Sequence, residues 1–173
     1  PPVLQDRSNV TINEGQELAF TAQATDPENQ PLNYAVYMIG DMDNDGTLEA
    51  SDIQRIIDLI SLGAFDSEAD VNDDNILANG DALRVINYNN NSSAVKTMPA
   101  NLTINPTNGQ FRWTPNYSQA GYYGYTIVAY DHVDQNLRLK DAKTFYVTVN
   151  DVPNGPPVLQ DRSNVTINEG QEL

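Results

Sequence analysis

DMDNDGTLEASD (residues 41–52) and DVNDDNILANGD (residues 70–81) carry one pattern twice. In the first, Asp41, Asp43, Asp45 and Asp52 stand at places 1, 3, 5 and 12, with Gly46 at the sixth and Thr47 at the seventh. In the second, Asp70, Asn72, Asp74 and Asp81 take the same four places and Ile76 the seventh. Alternate oxygen ligands followed by a distal carboxylate wrap a hard cation of calcium size, and the seventh residue gives its backbone carbonyl whatever its side chain. The sixth place needs a sharp turn, which Gly46 makes without strain and Asn75 tolerates next best. A plain run of solvated acids is the alternative, but such runs do not repeat at fixed offsets with apolar faces behind them.

Each loop runs straight into a helical pattern. Ile53, Ile56, Ile57 and Ile60 fall on one face after the first loop, where Ser51 and Gln54 read as a capping box; Ala82, Leu83 and Ile86 repeat the face over a shorter helix after the second. Neither loop has a helix pattern in front of it. From about Gly40 to Asn90 this combination resembles the dockerin module of extracellular bacterial and archaeal proteins. The resemblance implies two bound calcium ions and a cohesin-like partner, met through places 10 and 11 of each loop, here Ala50-Ser51 and Asn79-Gly80. Those pairs differ, so the near-symmetric partner face of many dockerins is not evident.

The stretch from Gly40 to Asn90 holds 12 of the 24 acidic residues, against only Arg55 and Arg84, so without cations it repels itself. A formal net charge of -15 argues against nucleic acid or an anionic membrane as partner. Without cysteine there is no disulfide framework, thiol nucleophile or thiolate metal site. No stretch reads as a membrane span. Catalysis finds little support: His132 reads as a solvated turn residue, the clustered carboxylates have cation-ligand spacing, and no phosphate loop is present. The expectation is a protein that is not an enzyme.

The flanks read as strands. Val10 with Ile12, then Leu18 to Ala24, then Leu32 to Met38 alternate as half-buried strands do, and the pattern resumes with Leu102 and Ile104, a turn at Asn105–Gly109, and Phe111 and Trp113. Tyr123, Tyr125, Ile127 and Ala129 form one face of a long strand, and Phe145, Val147 and Val149 one face of the last. Strands of this length and spacing argue for a two-sheet sandwich centred on Trp113, so the fold class is mostly β, a sandwich split by a small helical insert. Residues 1–38 and 95–153 make the sandwich and residues 39–94 the insert. A loop insertion costs little closure entropy, so the sandwich is expected to survive replacement of Gly40–Asn90 by a short linker.

VTINEGQELAFTAQATDPENQPLNY (residues 10–34), LTINPTNGQFRWTPNYSQAGYYGYTIVAYD (residues 102–131) and FYVTVNDVPNGPPV (residues 145–158) resemble the bacterial cadherin-like and immunoglobulin-like repeats of large surface proteins. The resemblance implies a tyrosine corner at Tyr123 and calcium at repeat junctions, held by Asn150 and Asp151 together with Glu14, Asp26, Glu28 and Asp131. The alternative is that Asp26 and Glu28 only make a turn and Asn150-Asp151 only ends a strand.

Residues Pro1–Leu18 (PPVLQDRSNVTINEGQEL) recur unchanged at Pro156–Leu173, an offset of 155. Identity over 18 positions points to a tandem array, with residues 154–173 as linker and first strands of the next repeat; a cloning duplication is the alternative. The chain begins at Pro1 in what reads as mid-linker, as an excerpt of a longer protein would. Acceptor sequons stand at Asn9, Asn90, Asn91, Asn101, Asn116 and Asn164, suiting a glycosylated surface in a source that has the machinery. Two functions of different class fit these features: a calcium-stiffened structural repeat of an extracellular fibre, stalk or adhesin, or a docking module for a cohesin-like protein. Repeats would join through junction calcium, or by strand exchange in which Val165–Ile167 pairs with an open sheet edge of another copy in a filament.

Overall fold

Alternating apolar residues build two facing sheets. The computed structural model describes residues 1–131, 139–153, 166, 168–170 and 172; His132, Asn164, Val165 and Ile167, with most of the second copy of the terminal segment, lie outside the described residues. The strands are β1 (Val3–Leu4), β2 (Val10–Asn13), β3 (Leu18–Thr21), β4 (Ala24–Thr25), β5 (Asn33–Met38), β6 (Thr103–Ile104), β7 (Gln110–Trp113), β8 (Gly121–Tyr130) and β9 (Lys140–Asn150), with helices α1 (Ala50–Leu62) and α2 (Asn79–Asn90) between β5 and β6. One sheet has the order β2-β9-β8-β5 and the facing one β3-β7-β6, while β1 and β4 form a two-stranded corner. Strand β2 runs parallel to β9, with Val10 opposite Val147, and the other pairings are antiparallel.

The expected faces of the long strands are the buried ones. Tyr123, Tyr125, Ile127 and Ala129 of β8 and Phe145, Val147 and Val149 of β9 meet Phe111 and Trp113 of β7 in one core. The Trp113 ring lies 4.7 Å from that of Tyr123 at 70°, and Phe111 lies 5.9 Å from Phe145 at 77°. Burying each such side chain contributes about 1.5–3 kcal/mol, so this aromatic layer is the main stabilising element of the sandwich. The Tyr123 hydroxyl donates to the Gln119 carbonyl at 2.8 Å, four residues upstream, closing the tyrosine corner.

Several local expectations are corrected. Pro1–Arg7 is not only a linker, because Val3 and Leu4 pair with Thr25 and Ala24 and the Leu4 amide donates to Asp141 Oδ2 at 2.7 Å. The strand expected through Ala24 breaks after Thr21, where the Ala22 amide turns to the Gly109 carbonyl. Ser51 and Gln54 form no capping box: α1 begins at Ala50, the Asp52 carboxylate takes the Glu49 amide at 2.8 Å, and Gln54 donates to Asp58. The buried face of α2 is Ala82, Val85 and Tyr88 rather than Ala82, Leu83 and Ile86; Leu83 is 56% exposed. On α1, Ile56 is fully buried while Ile57 faces outward.

The insert is rooted on the edge of β8 that β5 leaves free. Strand β5 ends with Met38 opposite Tyr125, and beyond it the Ile39 amide donates to the Gly124 carbonyl. On the return, the Val95 amide donates to the Tyr122 carbonyl and the Tyr122 amide to the Ser93 carbonyl. Between them the buried Tyr88 hydroxyl accepts from the Gly124 amide at 2.9 Å and donates to the Val95 carbonyl. Gly124 permits this approach, since a Cβ there would lie 2.6 Å from Ile39 Cγ2. Residues of both helices therefore share a continuous core with the sandwich.

Candidate metal centres

The two loops are closed by closely similar carboxylate-to-amide bonds. Asp41 accepts from the Asn44 amide on Oδ1 and the Gly46 amide on Oδ2, and Asp70 accepts from the Asp74 amide on Oδ1 and the Asn75 amide on Oδ2. Asp45 accepts from the Thr47 amide and Asp74 from the Ile76 amide, both at 2.8 Å. The distal carboxylates close each loop: Asp52 takes the Met42 and Glu49 amides, Asp81 the Asn72 and Ala78 amides. Left-handed backbone recurs at the fourth and sixth places, at Asn44 and Gly46 and again at Asp73 and Asn75. This turns successive side-chain oxygens toward one centre.

Those oxygens suit a hard cation. Ligand atoms of Asp41, Asp43 and Asp45 lie within 4.8 Å of one another. Burial, and the charges of Asp52 and Asp45, push the Asp41 carboxyl up to about 6 against the pull of two backbone amides. Burial raises Asp70 likewise, with Asp81 and Asp74 adding to the effect. Gathered carboxylates that resist ionisation are a donor set a divalent cation relieves. The residues that could hold one are Asp41, Asp43, Asp45, the Thr47 carbonyl and Asp52 in the first loop, and Asp70, Asn72, Asp74, the Ile76 carbonyl and Asp81 in the second. The Ile76 side chain is 64% exposed, as suits a place that offers only its carbonyl.

The remaining acidic candidates divide between the ends of the sandwich. At the leading pole, where β1 enters, ligand atoms of Asp26, Glu28 and Asp131 also lie within 4.8 Å of one another. Asp26 Oδ1 takes the Glu28 amide and Asp131 Oδ1 the Leu139 amide, while Oδ2 of each is buried with no hydrogen-bond partner among the described residues. Two orphaned oxygens beside a third carboxylate fit a cation. At the trailing pole Glu14 is 5% exposed, with Oε1 taking the Ala120 amide and Oε2 the Val152 amide. Asn150 donates to Asn13 there, and Asp151 is exposed. One copy thus brings together Asp26, Glu28 and Asp131, and keeps Glu14, Asn150 and Asp151 at the far end.

Two contacts tie the insert to β9, and neither had a signal in the sequence. Asp73, between two ligand places of the second loop, takes the Thr144 amide at 3.2 Å. That amide lies on the edge of β9 beyond the reach of β2, and Asn9 covers the Tyr146 amide next along. Burial pushes the Asp73 carboxyl up to about 6, partly offset by the Thr144 amide and Lys143. Lys140 lies 2.8 Å from Asp66 and 2.7 Å from Glu68. Of the sequons, Asn9, Asn90, Asn91, Asn101 and Asn116 are exposed, though the Asn101 amide donates to the Thr114 carbonyl.

Two sheets packed face to face, β2 parallel to β9 and a tyrosine corner at Tyr123 define an immunoglobulin-like sandwich. A family model described as "Putative Ig domain" matches residues 75–150, which takes in α2 and β6 to β9. No curated protein matches the chain. Among solved structures it is similar to the human desmocollin-1 ectodomain (12% identity, TM-score 0.39, 86% of this chain and 20% of that one). It is also similar to a nucleoside hydrolase-related hypothetical protein of Saccharophagus degradans associated with carbohydrate metabolism (12%, TM-score 0.41, 86% and 25%). A third similarity is to the protocadherin GammaB4 extracellular domain (14%, TM-score 0.41, 86% and 17%). The chain spans a quarter or less of the length of these solved chains.

Proposed function

We propose that the chain is a repeat unit of a long extracellular surface protein, a fibre, stalk or adhesin, folded and stiffened by calcium. The observation that carries this reading is the pattern of side-chain oxygen to backbone amide that the two loops share at places 5, 6, 7 and 9, in an insert rooted on β8 at both ends. Calcium there would neutralise charge that the insert's two arginines cannot, and would fix α1 and α2 against the sheet. At the leading pole Asp26, Glu28 and Asp131 would hold a further ion, and Asn150 and Asp151 of the preceding copy would complete its shell. Such an ion binds only when both copies are aligned, so occupancy favours a straight joint. Neighbouring repeats, and other copies in a filament, are the partners this implies, with no catalytic role. Among the described residues no helix is long and apolar enough to cross a membrane.

The test is titration calorimetry on the whole chain, with about two ions bound in the insert as the expected result. Absence of calcium binding, or a melting temperature that chelation leaves unchanged, removes the proposal. The docking alternative draws support from one observation: Ala50, Ser51, Asn79 and Gly80 are all exposed. Retention of the chain on immobilised cohesin domains from its source would favour it.

A further inference from the structure

Single exposed apolar side chains are ordinary on any protein surface. Here several gather at the two poles. Val3 is 55% and Phe65 54% exposed at the leading pole, where they line one groove with Pro1, Pro2 and Lys140. At the trailing pole Tyr117 is 60% exposed, lying over Gly15 beside Glu14.

The backbone is anchored close to each feature. At the leading pole the Leu4 amide is held by Asp141, and at the trailing pole the Val152 amide is held by Glu14. The residue equivalent to Leu4 in the following copy is Leu159, seven positions after Val152, so the two anchors cannot be more than about 24 Å apart. Covalent reach alone therefore keeps the trailing pole of one copy near the leading pole of the next. Both carry acid, in Asp151 on one side and Asp26, Glu28 and Asp131 on the other, and the groove's Lys140 is already paired with Asp66 and Glu68, so apolar contact is the attraction the two poles offer besides cations.

We propose that Tyr117 of each copy seats in the groove between Val3 and Phe65 of the copy that follows, which makes the helical insert part of the joint between repeats. This rests on the tandem reading above. The contact is head to tail, so it propagates along an array and is not satisfied by a closed pair. A tyrosine suits the place, since its ring covers apolar surface while its hydroxyl stays wet at the rim.

The test is a two-copy chain, residues 1–155 followed by residues 1–173, with Tyr117→Cys in the first copy and Phe65→Cys in the second. The sequence has no cysteine, so only the introduced pair can bridge, and it does so only with Cα atoms about 4.4–6.8 Å apart. The expected result is an intramolecular disulfide forming at least tenfold faster than one between Tyr117→Cys and Leu62→Cys, a more exposed site on the same insert. Val3→Cys in place of Phe65→Cys repeats the test from the other wall of the groove. Equal rates at the groove and at Leu62, or no bridge at either wall, overturn the seat. Small-angle scattering of the cysteine-free two-copy chain keeps the two ideas apart: a maximum dimension insensitive to chelation overturns the calcium joint, whereas a calcium-dependent dimension without a bridge overturns the seat alone.

Discussion

Replacing Tyr88 by Phe removes one oxygen atom and asks whether the insert and the sandwich fold as a single unit. The Tyr88 ring is 4% exposed and keeps its packing in the variant. Its hydroxyl is the acceptor for the Gly124 amide and a donor to the Val95 carbonyl, both where the insert meets β8. Gly124 is buried under Ile39, so its amide loses its partner with little access to water, at a cost of about 1–3 kcal/mol. Val95 is only half-buried, and the lost bond there costs about 1 kcal/mol more. The total of roughly 2–4 kcal/mol is a large part of the stability of a domain this size and corresponds to roughly 5–15 °C in Tm. Denaturant unfolding in calcium, followed at Trp113 in the sandwich and by far-ultraviolet dichroism of the helices, reads it. If the units are one, both probes shift together by that amount. A Trp113 transition that stays in place while the helical one moves would refute the reasoning, and would restore the expectation that Gly40–Asn90 can be cut away.

Chelating calcium should lower the Tm of the whole chain; at free calcium about 100 times the dissociation constant each site contributes about 2.7 kcal/mol, and the paired variants Asp41→Asn and Asp70→Asn should lose that response. The pH dependence has opposite signs with and without metal. Asp41 is pushed up to about 6, above its ordinary 3.8, so the metal-free fold binds more protons than the unfolded chain between those values; its contribution to stability rises as pH falls through about 6. With calcium the protons compete for the same oxygens, so calorimetry should find weaker binding at pH 5 than at pH 7, and equal affinities would contradict the assignment of Asp41 as a ligand. Two core tyrosines should also respond in opposite directions. Tyr123→Phe loses the corner bond to Gln119 and should cost about 1 kcal/mol, while Tyr125→Phe removes a buried hydroxyl with no partner among the described residues and should gain about 1 kcal/mol, both read from denaturant midpoints.

The acidic loops were legible because a loop closed by its own carboxylates is set by local backbone geometry alone. Places 1, 3, 5 and 12 are a covalent spacing, and the sixth-place amide closes on Asp41 and on Asp70 without help from the rest of the chain. The inward faces of β8 and β9 were legible for a similar reason, since alternation along a strand is local too. The α2 face was misjudged because helical spacing allows several stripes, and only the sheet it packs on selects Val85 and Tyr88 over Leu83 and Ile86. The Ser51 cap failed because α1 starts earlier, with Glu49 at the cap and the Asp52 carboxylate taking the Glu49 amide.

By itself the sequence determined the two acidic loops, the strand faces and the presence of a second copy of the first 18 residues, all properties of neighbours along the chain. Only the tertiary structure decided that Tyr88 and Gly124 weld the insert to β8, that Asp73 covers the open edge of β9, and that the other acids divide between opposite poles. Those pairings join residues 36 and 71 positions apart, and Asp26 to Asp131 across most of the chain. A hydroxyl or carboxylate finds such a partner because burial leaves no water to take its place, and burial is settled only when the sheets close.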